Sequence, residues 1–243
     1  MQKPIRALLL SAGFGTRLRP LTLDTPKCLI KINNKPILEH WLTKLEKLGV
    51  QSILINTHYL AHKVNSFLDT HYYQNKKISR FQEDILLGTA GTLIKNSEFF
   101  MNSIGMMIHS DNFTYMKLNN LVKAHQNRPK NCLITMLTFS TNNPKSCGIV
   151  EVDKKGIVKA FHEKIDNPPG NVANGAIYIF ENDFLEWLKT NHPHAKDFST
   201  QVLPFLIGKI FTYHTTMSYI DIGNINALEE ARSFKNIKTY REK

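Results

Sequence analysis

The sequence has few cysteines, and their positions do not suit a disulfide framework or a zinc site. Cys28, Cys132 and Cys147 are the three cysteines among 243 residues, and they lie far apart. None belongs to a Cys-x-x-Cys pair, the spacing typical of zinc ligands and redox motifs. Free thiols in such small number are typical of a reducing compartment. The sequence therefore predicts a cytoplasmic protein without disulfides or zinc.

Long apolar runs are also lacking. No stretch approaches the roughly 20 apolar residues that a membrane-spanning helix needs. The first apolar run, at residues 5–10, is too short for a signal peptide and is not followed by a small-residue cleavage site. We therefore expect no membrane partner and no secretion signal. A hydrophobic content of 42% and a charged content of 21% are ordinary for a globular chain, which is long enough for one substantial core.

Negative charge is scarce, because 31 Lys and Arg residues face 20 Asp and Glu residues, for a net charge of +11. Such an excess raises the alternative of a nucleic-acid-binding protein. The basic residues are dispersed along the chain, however, and do not alternate with aromatic residues in any run. We interpret them as a solvated surface and expect no nucleic-acid partner. The same charge would help to attract a polyanionic nucleotide.

A glycine-rich segment follows the first apolar run, which is typical of a buried strand. Gly13 and Gly15 stand where that strand would end, and Arg17, Arg19 and Lys27 follow them. A tight glycine turn at the carboxyl end of a strand can direct several backbone N–H groups toward one anion. We predict that this loop binds the phosphates of a nucleotide.

Two better-known glycine loops do not match this segment. The P-loop requires a Gly-Lys-Ser/Thr triplet, which does not follow Gly15, and the dinucleotide fingerprint requires a small residue where Leu18 stands. The glycines alone could simply form a strand-to-helix turn. That interpretation leaves the nearby basic residues unexplained.

Strands and helices alternate through the first half of the chain. Apolar spacing predicts a helix over residues 37–48, closed by Gly49, and a second helix over residues 62–71. We expect residues 27–32 to be extended and residues 106–112 to form a strand that has the carboxylate of Asp111 at its end. This alternation predicts a parallel, doubly wound α/β sheet.

Ligands of such sheets bind beyond the carboxyl ends of the strands. The glycine loop, the turn at residues 88–91 and Asp111 all lie at predicted strand ends. We therefore expect them to meet in one cleft although they are far apart in the sequence.

The pattern changes after Pro144. Residues 147–152 and 157–164 flank a turn at residues 153–156 and predict a β-hairpin. Further strands are predicted at residues 172–180 and at residues 219–224, where Asp221 provides a second carboxylate near a strand end. We expect one domain over residues 1–243, with a nucleotide-binding half at about 1–143. The remainder, about 144–243, is a hairpin-rich half that ends in a helix.

With these motifs in order, the chain resembles the sugar-1-phosphate nucleotidylyltransferase family over nearly its whole length. The segments that carry the resemblance are residues 13–22 with Pro26-Lys27, then residues 87–91, 110–112, 161–164, 174–178 and 221–223. The family implies a Rossmann-like, doubly wound mixed α/β sheet with a hairpin-rich sugar-binding half, in its minimal single-domain form. It also implies a reaction in which a nucleoside triphosphate and a sugar 1-phosphate give a nucleotide sugar and pyrophosphate.

The resemblance also implies roles for particular residues. Nucleotide binding would involve Ala12, Gly13, Gly15, Thr16, Arg17, Gln82, Gly88 and Thr89. The catalytic residues would be Arg17, which contacts the leaving pyrophosphate, Lys27, which lies near the α-phosphate, and Asp111. The sugar phosphate would contact Lys27, Gly148, Glu163, Lys164, Asn174 and Gly175, and Mg²⁺ would be bound by Asp111 and Asp221. We expect His109 to be a packed strand residue without a catalytic role.

The chemistry agrees with these residue types. A phosphate monoester is mostly ionised at neutral pH, since its second pKa is about 6, so the nucleophile requires no general base. Two carboxylates are suitable oxygen ligands for Mg²⁺, which takes its other ligands from phosphate and water. Taken alone, Glu163 and Lys164 could equally form an exposed ion pair at a strand end.

The motifs at residues 87–91, 161–164 and 167–171 resemble the guanylyltransferase branch acting on mannose or manno-heptose 1-phosphate. Uridylyl, thymidylyl or cytidylyl transfer remains open, and Cys147 stands where many members have an aromatic residue. A non-catalytic nucleotide-binding regulatory subunit is a further alternative. It is disfavoured because Arg17, Lys27 and both aspartates are present. The family also suggests a homodimer.

Overall fold

The computed structural model describes residues 3–70 and 77–234 and consists of thirteen strands and seven helices. The strands are β1 (Ile5–Leu10), β2 (Lys31–Ile32), β3 (Lys35–Pro36), β4 (Ser52–Thr57), β5 (Ile78–Gln82), β6 (Ile104–His109), β7 (Asn112–Thr114), β8 (Ile134–Ser140), β9 (Gly148–Val152), β10 (Val158–Glu163), β11 (Val172–Phe180), β12 (Ile210–Thr215) and β13 (Tyr219–Asp221). The helices are α1 (Ile37–Leu48), α2 (Ala61–Leu68), α3 (Gly88–Lys95), α4 (Leu118–Gln126), α5 (Asn182–Asn191), α6 (Phe198–Gln201) and α7 (Ile225–Ser233).

Nine strands form one mixed sheet with the path β10-β9-β11-β6-β1-β4-β5, and β8 joins it by pairing with β11 and β12. The block β5-β4-β1-β6 is parallel, as the alternation of strands and helices predicts. Strand β11 then pairs antiparallel with β6, β8 and β9. The alternation therefore predicts the parallel block correctly but not the antiparallel strands joined to it, and the mixed sheet implied by the family resemblance is confirmed.

Both faces of the sheet are covered, which confirms the doubly wound arrangement. Alternate residues of β1 point to opposite faces, since Ala7 and Leu9 belong to one buried cluster and Leu8 belongs to the other. Helices α1, α2, α4 and α7 contribute to the first cluster, and α3, α5 and α6 contribute to the second. Alternation of this kind is what a strand buried on both faces requires.

The local sequence of helix α1 determines where the helix begins, which face it buries and where it ends. It spans Ile37–Leu48, as predicted, and buries Ile37, Trp41 and Leu45 along one face. Gly49 ends it in the left-handed conformation at φ 78°, and its N–H donates to the carbonyl oxygens of Leu45 and Glu46. A residue with a Cβ is strained at this φ, which explains the glycine.

Several predicted boundaries need correction. Residues 27–29 form a 3-10 turn closed by a 2.8 Å hydrogen bond from the Leu29 N–H to the Pro26 carbonyl, and only Lys31–Ile32 are extended. The predicted helix over residues 62–71 begins at Ala61 and ends at Leu68, and its last predicted residue, His71, lies outside the described residues. Strand β6 ends at His109, because the chain turns at Ser110 and Asp111 to enter β7.

The register of the parallel strands brings the predicted functional segments to one edge of the sheet, at the carboxyl ends of the strands. Leu10, the last residue of β1, pairs with Asn56 of β4 and with His109 of β6. Beyond that edge, β7 and β13 form an antiparallel ribbon in which Asn112 pairs with Asp221. Within residues 3–70 and 77–234, none of the helices combines the length and apolar character required to cross a bilayer.

Candidate active site

The glycine loop, the start of α3 and the end of β6 enclose one cavity of about 210 Å³. Its lining includes Ala12, Gly13, Lys27, Gly88, Thr89 and Asp111, all of which the sequence predicts as site residues. The three segments lie at the carboxyl ends of β1, β5 and β6, where a ligand of a doubly wound sheet is expected. The structure therefore brings the predicted segments together in one cleft.

The glycine loop has a defined shape. Gly15 has φ 65°, and a Cβ built on it would lie 2.9 Å from Cγ2 of Thr22 and 3.3 Å from Cβ of Lys27. The Thr22 hydroxyl donates a 2.8 Å hydrogen bond to the carbonyl of Gly15. Gly15 is thus required by the path of the loop and by the approach of Lys27. Neither Gly15 nor Thr16 lines the cavity.

The start of α3 is held by the segment that precedes α6. Gly88 has φ 80°, and a Cβ on it would lie 2.4 Å from the carbonyl oxygen of Lys196. That carbonyl accepts a 2.9 Å hydrogen bond from the N–H of Ala90, and the Thr89 hydroxyl accepts one of 2.7 Å from the N–H of Phe198. Gly88 is therefore needed for a close backbone approach, and this approach fixes one wall of the cavity.

A buried carboxylate beneath this cavity was not predicted from the sequence. Glu83 is 3% exposed and accepts hydrogen bonds from the Asn56 side-chain amide at 2.8 Å, the Leu87 N–H at 2.9 Å and the Thr92 hydroxyl at 2.5 Å. The Asn56 side-chain oxygen in turn accepts a 2.7 Å hydrogen bond from the N–H of Ser11. Glu83 thus connects the start of α3 to the glycine loop through Asn56.

Replacing Glu83 by glutamine is expected to lower stability by about 1–3 kcal/mol, because the Asn56 amide on one carboxylate oxygen and the Leu87 N–H on the other can only donate. An amide N–H₂ in either position would therefore face a donor. If a nucleotide binds in that cavity, as the family resemblance implies, the substitution should also raise KM for the nucleotide, since both walls depend on Glu83. KM for the second substrate should stay nearly unchanged. Urea unfolding and steady-state kinetics measure these effects. Glu98→Gln, at an exposed position just after α3, is the matched control. Equal changes in both KM values would contradict this role.

Lys27 and Asp111 form an ion pair at the floor of the cleft. The Lys27 Nζ lies 2.5 Å from Oδ2 of Asp111. Withdrawal from water acts to raise the pKa of Asp111, but the charge of Lys27 and the hydrogen bond from it prevail and hold that pKa below its ordinary value. Asp111 is therefore a carboxylate at neutral pH.

Asp221 is brought close to Asp111 by the ribbon of β7 and β13. The N–H of Ile222 donates a 3.2 Å hydrogen bond to the Asp111 carbonyl, which ties the two acidic segments together. Removal from water within the cleft and the charge of Asp111 raise the pKa of Asp221, although this residue keeps a solvent-exposed surface. The charge of Asp111 thus disfavours ionisation of Asp221, and a cation bound by both carboxylates would relieve this repulsion.

The donor set fits Mg²⁺. Asp111 and Asp221 line the same cavity and offer hard oxygen atoms, which Mg²⁺ prefers. Among the described residues, no group of three or more His, Cys, Asp or Glu side chains is arranged to hold a metal. Mg²⁺ commonly uses one or two carboxylates and completes its shell with phosphate oxygens and water. The pair therefore suits a metal that is bound together with a phosphate substrate.

The second half of the chain supplies an adjoining cavity of about 170 Å³. Its lining includes Arg17, Gly148, Glu163, Lys164, Asn174 and both aspartates. A Cβ on Gly148 would lie 2.7 Å from Oε2 of Glu163 and 2.7 Å from the Phe161 ring, so only glycine fits beside these groups. The Lys164 Nζ lies 3.0 Å from Oε1 of Glu163. These two residues therefore form the ion pair considered above and also line the cavity.

Strand β11 is irregular where it borders this cavity. The pairing of β11 with β8 shifts register between Asn174 and Tyr178, and Ala176 has φ 50°. The Asn174 side chain accepts a 2.9 Å hydrogen bond from the Ala176 N–H and donates one of 2.7 Å to the Tyr178 hydroxyl. The carbonyl of Gly175 accepts hydrogen bonds from the Tyr219 hydroxyl and the Asn112 side chain. Asn174 lines the cavity, and Gly175 anchors the bulge behind it.

Arg17 reaches from the glycine loop to the C-terminal segment. A Cβ built on Gly223 would lie 3.1 Å from a terminal guanidinium nitrogen of Arg17 and 3.3 Å from its central carbon. The absence of a side chain at Gly223 thus leaves space for the guanidinium next to Asp221. Arg17 and Lys27 bring positive charge to the two sides of the cleft, whereas Arg19 is exposed and does not line either cavity.

Two predicted residues have unexpected surroundings. Gln82 lines a separate open cavity of about 500 Å³ with Phe14, His58 and Tyr59. His109 lines both halves of the cleft, and its buried Nε2 has no hydrogen-bond partner among the described residues. Burial lowers the pKa of His109, which makes it a neutral imidazole with a free nitrogen. No local pattern indicates this free nitrogen, since His109 continues the apolar pattern of a strand.

The profile of the nucleotidyl transferase family matches residues 6–237. Mannose-1-phosphate guanylyltransferase catalytic subunit beta from Drosophila pseudoobscura pseudoobscura is 31% identical over 223 residues, which cover 90% of this chain and 59% of that protein. UTP–glucose-1-phosphate uridylyltransferase from Synechocystis sp. is 28% identical over 258 residues, covering 96% of this chain and 66% of that protein. The chain thus spans about 59–66% of the length of these relatives.

Solved structures share the fold. A Bacillus anthracis protein crystallised in complex with sucrose matches with a TM-score of 0.85 at 21% identity, covering 98% of each chain. HddC from Yersinia pseudotuberculosis, in complex with GMP-PN, matches with a TM-score of 0.78 at 23% identity, covering 93% of this chain and 97% of its own. With the family profile matching residues 6–237, this chain belongs to the nucleotidyl transferase family.

Proposed function

We propose that this chain transfers a nucleoside monophosphate from a nucleoside triphosphate to a sugar 1-phosphate and releases pyrophosphate. The observation that carries the proposal is the position of Asp111, which lines both the nucleotide-side cavity and the cavity near Glu163 and Lys164. A reaction between two bound phosphates needs adjoining sites with charged groups at their boundary. Lys27 and Asp221 stand beside Asp111 at this boundary.

The residues divide into two groups by position. Ala12, Gly13, Gly88 and Thr89 line the cavity for the nucleotide, and Gly148, Glu163, Lys164 and Asn174 line the cavity for the sugar phosphate. Four further residues of the proposed site do not line these two cavities. We propose that they set the shape of the loops or contact the substrate once it is bound: Gly15, Thr16, Gln82 and Gly175.

In the proposed reaction, an oxygen of the sugar phosphate attacks the α-phosphorus and the bond to the pyrophosphate breaks. Lys27 would balance the charge of the α-phosphate and the incoming phosphate, and Arg17 would bind the departing pyrophosphate. The gain arises from positioning two anions and stabilising the leaving charge, and each fixed donor contributes roughly 3–4 kcal/mol by analogy with oxyanion donors. No proton needs to be removed from the nucleophile.

We further propose that Mg²⁺ binds to Asp111 and Asp221. When bound, it would neutralise phosphate charge and orient the triphosphate. This proposal is supported by the position of the two carboxylates, which line the same cavity.

For the base and sugar, we propose GTP and mannose 1-phosphate or manno-heptose 1-phosphate. The mannose-1-phosphate guanylyltransferase named above supports this choice, and the uridylyltransferase keeps UTP as the alternative. We also propose one catalytic domain over residues 1–243, a cytoplasmic location and a homodimer. Strands of the 144–243 half enter the same sheet as those of the 1–143 half, which supports a single domain.

Base choice is tested by incubating the protein with Mg²⁺, a sugar 1-phosphate panel and each of GTP, UTP, dTTP and CTP. We expect pyrophosphate release to be fastest with GTP and a manno-configured sugar phosphate. Faster release with UTP, dTTP or CTP would contradict guanylyl transfer and leave the reaction class intact. ATP hydrolysis measured in the same samples controls for contaminating phosphatases.

A further inference from the structure

The side chain of His109 lies where the two halves of the cleft meet. His109 is the last residue of β6, which pairs with β1 on one side and with β11 on the other. Strand β1 leads into the glycine loop, and β11 carries the irregular segment at Asn174. Within the described part of the chain, His109 and Asp111 alone line both the nucleotide-side cavity of about 210 Å³ and the sugar-side cavity of about 170 Å³. These two side chains therefore mark the junction of the cavities.

The buried Nε2 of His109 has no hydrogen-bond partner within residues 3–70 and 77–234. The polar groups next to it are already paired. The Ser110 hydroxyl donates a 2.7 Å hydrogen bond to the Leu10 carbonyl, and the Lys27 Nζ lies 2.5 Å from Oδ2 of Asp111. Buried polar atoms without a partner are rare in native proteins, and a catalytic or ligand-binding role is one reason for them. A substrate group at the junction would provide this partner.

The imidazole ring of His109 can be presented to such a group. The residue is partly exposed and lines both cavities, so its exposed surface faces the cleft. Rotation of a histidine ring about the Cβ–Cγ bond has broad energy minima. Because Nε2 has no hydrogen bond to lose, turning it toward the cleft breaks none. An imidazole has at least one N–H in either protonation state, so it can donate to an oxygen that only accepts.

The substrate group expected at the junction is the α-phosphate of the nucleotide. In the proposed reaction, the α-phosphorus loses its bond to the pyrophosphate and gains one to the sugar phosphate, so it must be reached from both cavities. Its non-bridging oxygens are anionic, and the carboxylate of Asp111 at the same junction would repel them. Donors aimed at these oxygens would offset this repulsion.

We infer that His109 donates a hydrogen bond to a non-bridging oxygen of the α-phosphate and holds this group in line with the incoming sugar phosphate. The inference rests on the proposed nucleotidyl transfer. His109 removes and supplies no proton in this role, so the bonds that form and break are unchanged. The sequence predicts a packed strand residue without a catalytic role at this position, and the unpaired nitrogen at the junction is the reason to depart from that prediction.

His109→Leu tests the contact, because leucine has a similar volume and no donor. We expect kcat to fall about a hundredfold, the usual effect of deleting one donor to a charged transition state. KM for the sugar 1-phosphate should change less than about threefold, since the lost contact is to the nucleotide. Tm should stay equal or increase, because an apolar group replaces an unpaired polar one. His109→Gln keeps an N–H donor and should recover about tenfold of the lost kcat.

His194→Leu is the matched control, since His194 is exposed and lies outside both cavities. It should retain nearly full activity. A lower Tm in His109→Leu with kcat changed less than about threefold would overturn the inference, because His109 would then be a packing residue.

The oxygen contacted by His109 is identified with sulfur-substituted substrates. The two diastereomers of the α-thio analogue of the fastest nucleoside triphosphate each replace one non-bridging oxygen by sulfur, a poorer hydrogen-bond acceptor. For each, the ratio of the rate with oxygen to the rate with sulfur is measured in the unchanged protein and in His109→Leu. We expect this ratio to fall about fivefold in the variant for one diastereomer and to change less than about twofold for the other.

Unchanged ratios for both diastereomers would overturn the contact with the α-phosphate. Absence of product from the unchanged protein with every nucleotide and sugar pair would overturn the proposed function itself.

Discussion

Replacing Arg17 by alanine is expected to lower kcat at least about a hundredfold, the usual effect of deleting one donor that stabilises charge developing in a transition state. Arg17 extends across the cleft to Gly223, beside Asp221, and is the guanidinium that lines the sugar-side cavity. Arg17 is exposed, so replacing its side chain should change the free energy of unfolding by no more than about 0.5 kcal/mol. Steady-state kinetics and thermal denaturation measure the two effects separately.

Arg19→Ala is the matched control for this variant. Arg19 is exposed on the same loop, has the same charge, and lies outside the two cavities. We expect it to retain nearly full activity. A large fall in Tm for Arg17→Ala, or an equal loss of activity in both variants, would show that Arg17 acts through the fold or through general charge.

The second large effect is expected for Asp221→Asn. An amide is a weaker Mg²⁺ ligand than a carboxylate, so the Mg²⁺ concentration for half-maximal activity should rise by about tenfold or more. Stability in the absence of Mg²⁺ should stay equal or increase, because the charge of Asp111 opposes ionisation of Asp221 in the folded chain. Mg²⁺ titration of activity and Tm without metal give the two readouts.

Glu229→Gln removes one negative charge from the nearby helix α7 and serves as the control. It should leave the Mg²⁺ dependence unchanged. If Asp221→Asn shows the same titration curve as the unchanged protein, Asp221 is not a metal ligand. A marked fall in Tm without Mg²⁺ would contradict the repulsion between the two aspartates.

The elements with strong local patterns could be predicted from the sequence. Helix α1 has apolar residues at helical spacing and a glycine cap, and β11 is rich in apolar residues on both sides of Asn174-Gly175, so the sequence predicts both elements with the observed ends. The cleft was predicted because parallel strands end at one edge, and β1, β4 and β6 are parallel. The partners of β11 were not predictable, since an apolar strand gives no local signal of whether its neighbours run parallel or antiparallel.

The parts of the site that depend on contacts between residues far apart in the chain could not be predicted from the sequence. Glu83 lies in a polar stretch and looks solvated, yet it is buried by partners such as Asn56, 27 residues away. The role of Gly223 as space for Arg17 depends on a contact between segments that lie at opposite ends of the chain. His109 lines two cavities because strand pairing places β6 between β1 and β11. Local patterns contain none of these long-range contacts.

Nucleotidyl transfer between the two substrates can be followed directly by ³¹P NMR of the protein with Mg²⁺, GTP and manno-heptose 1-phosphate. We expect the phosphate monoester signal of the sugar to decline while the diphosphate signal of the nucleotide sugar and the signal of free pyrophosphate increase in equal amounts. Omitting either substrate should abolish both products. Release of inorganic phosphate alone, or pyrophosphate formed without the sugar phosphate, would contradict transfer between two substrates bound on either side of Asp111.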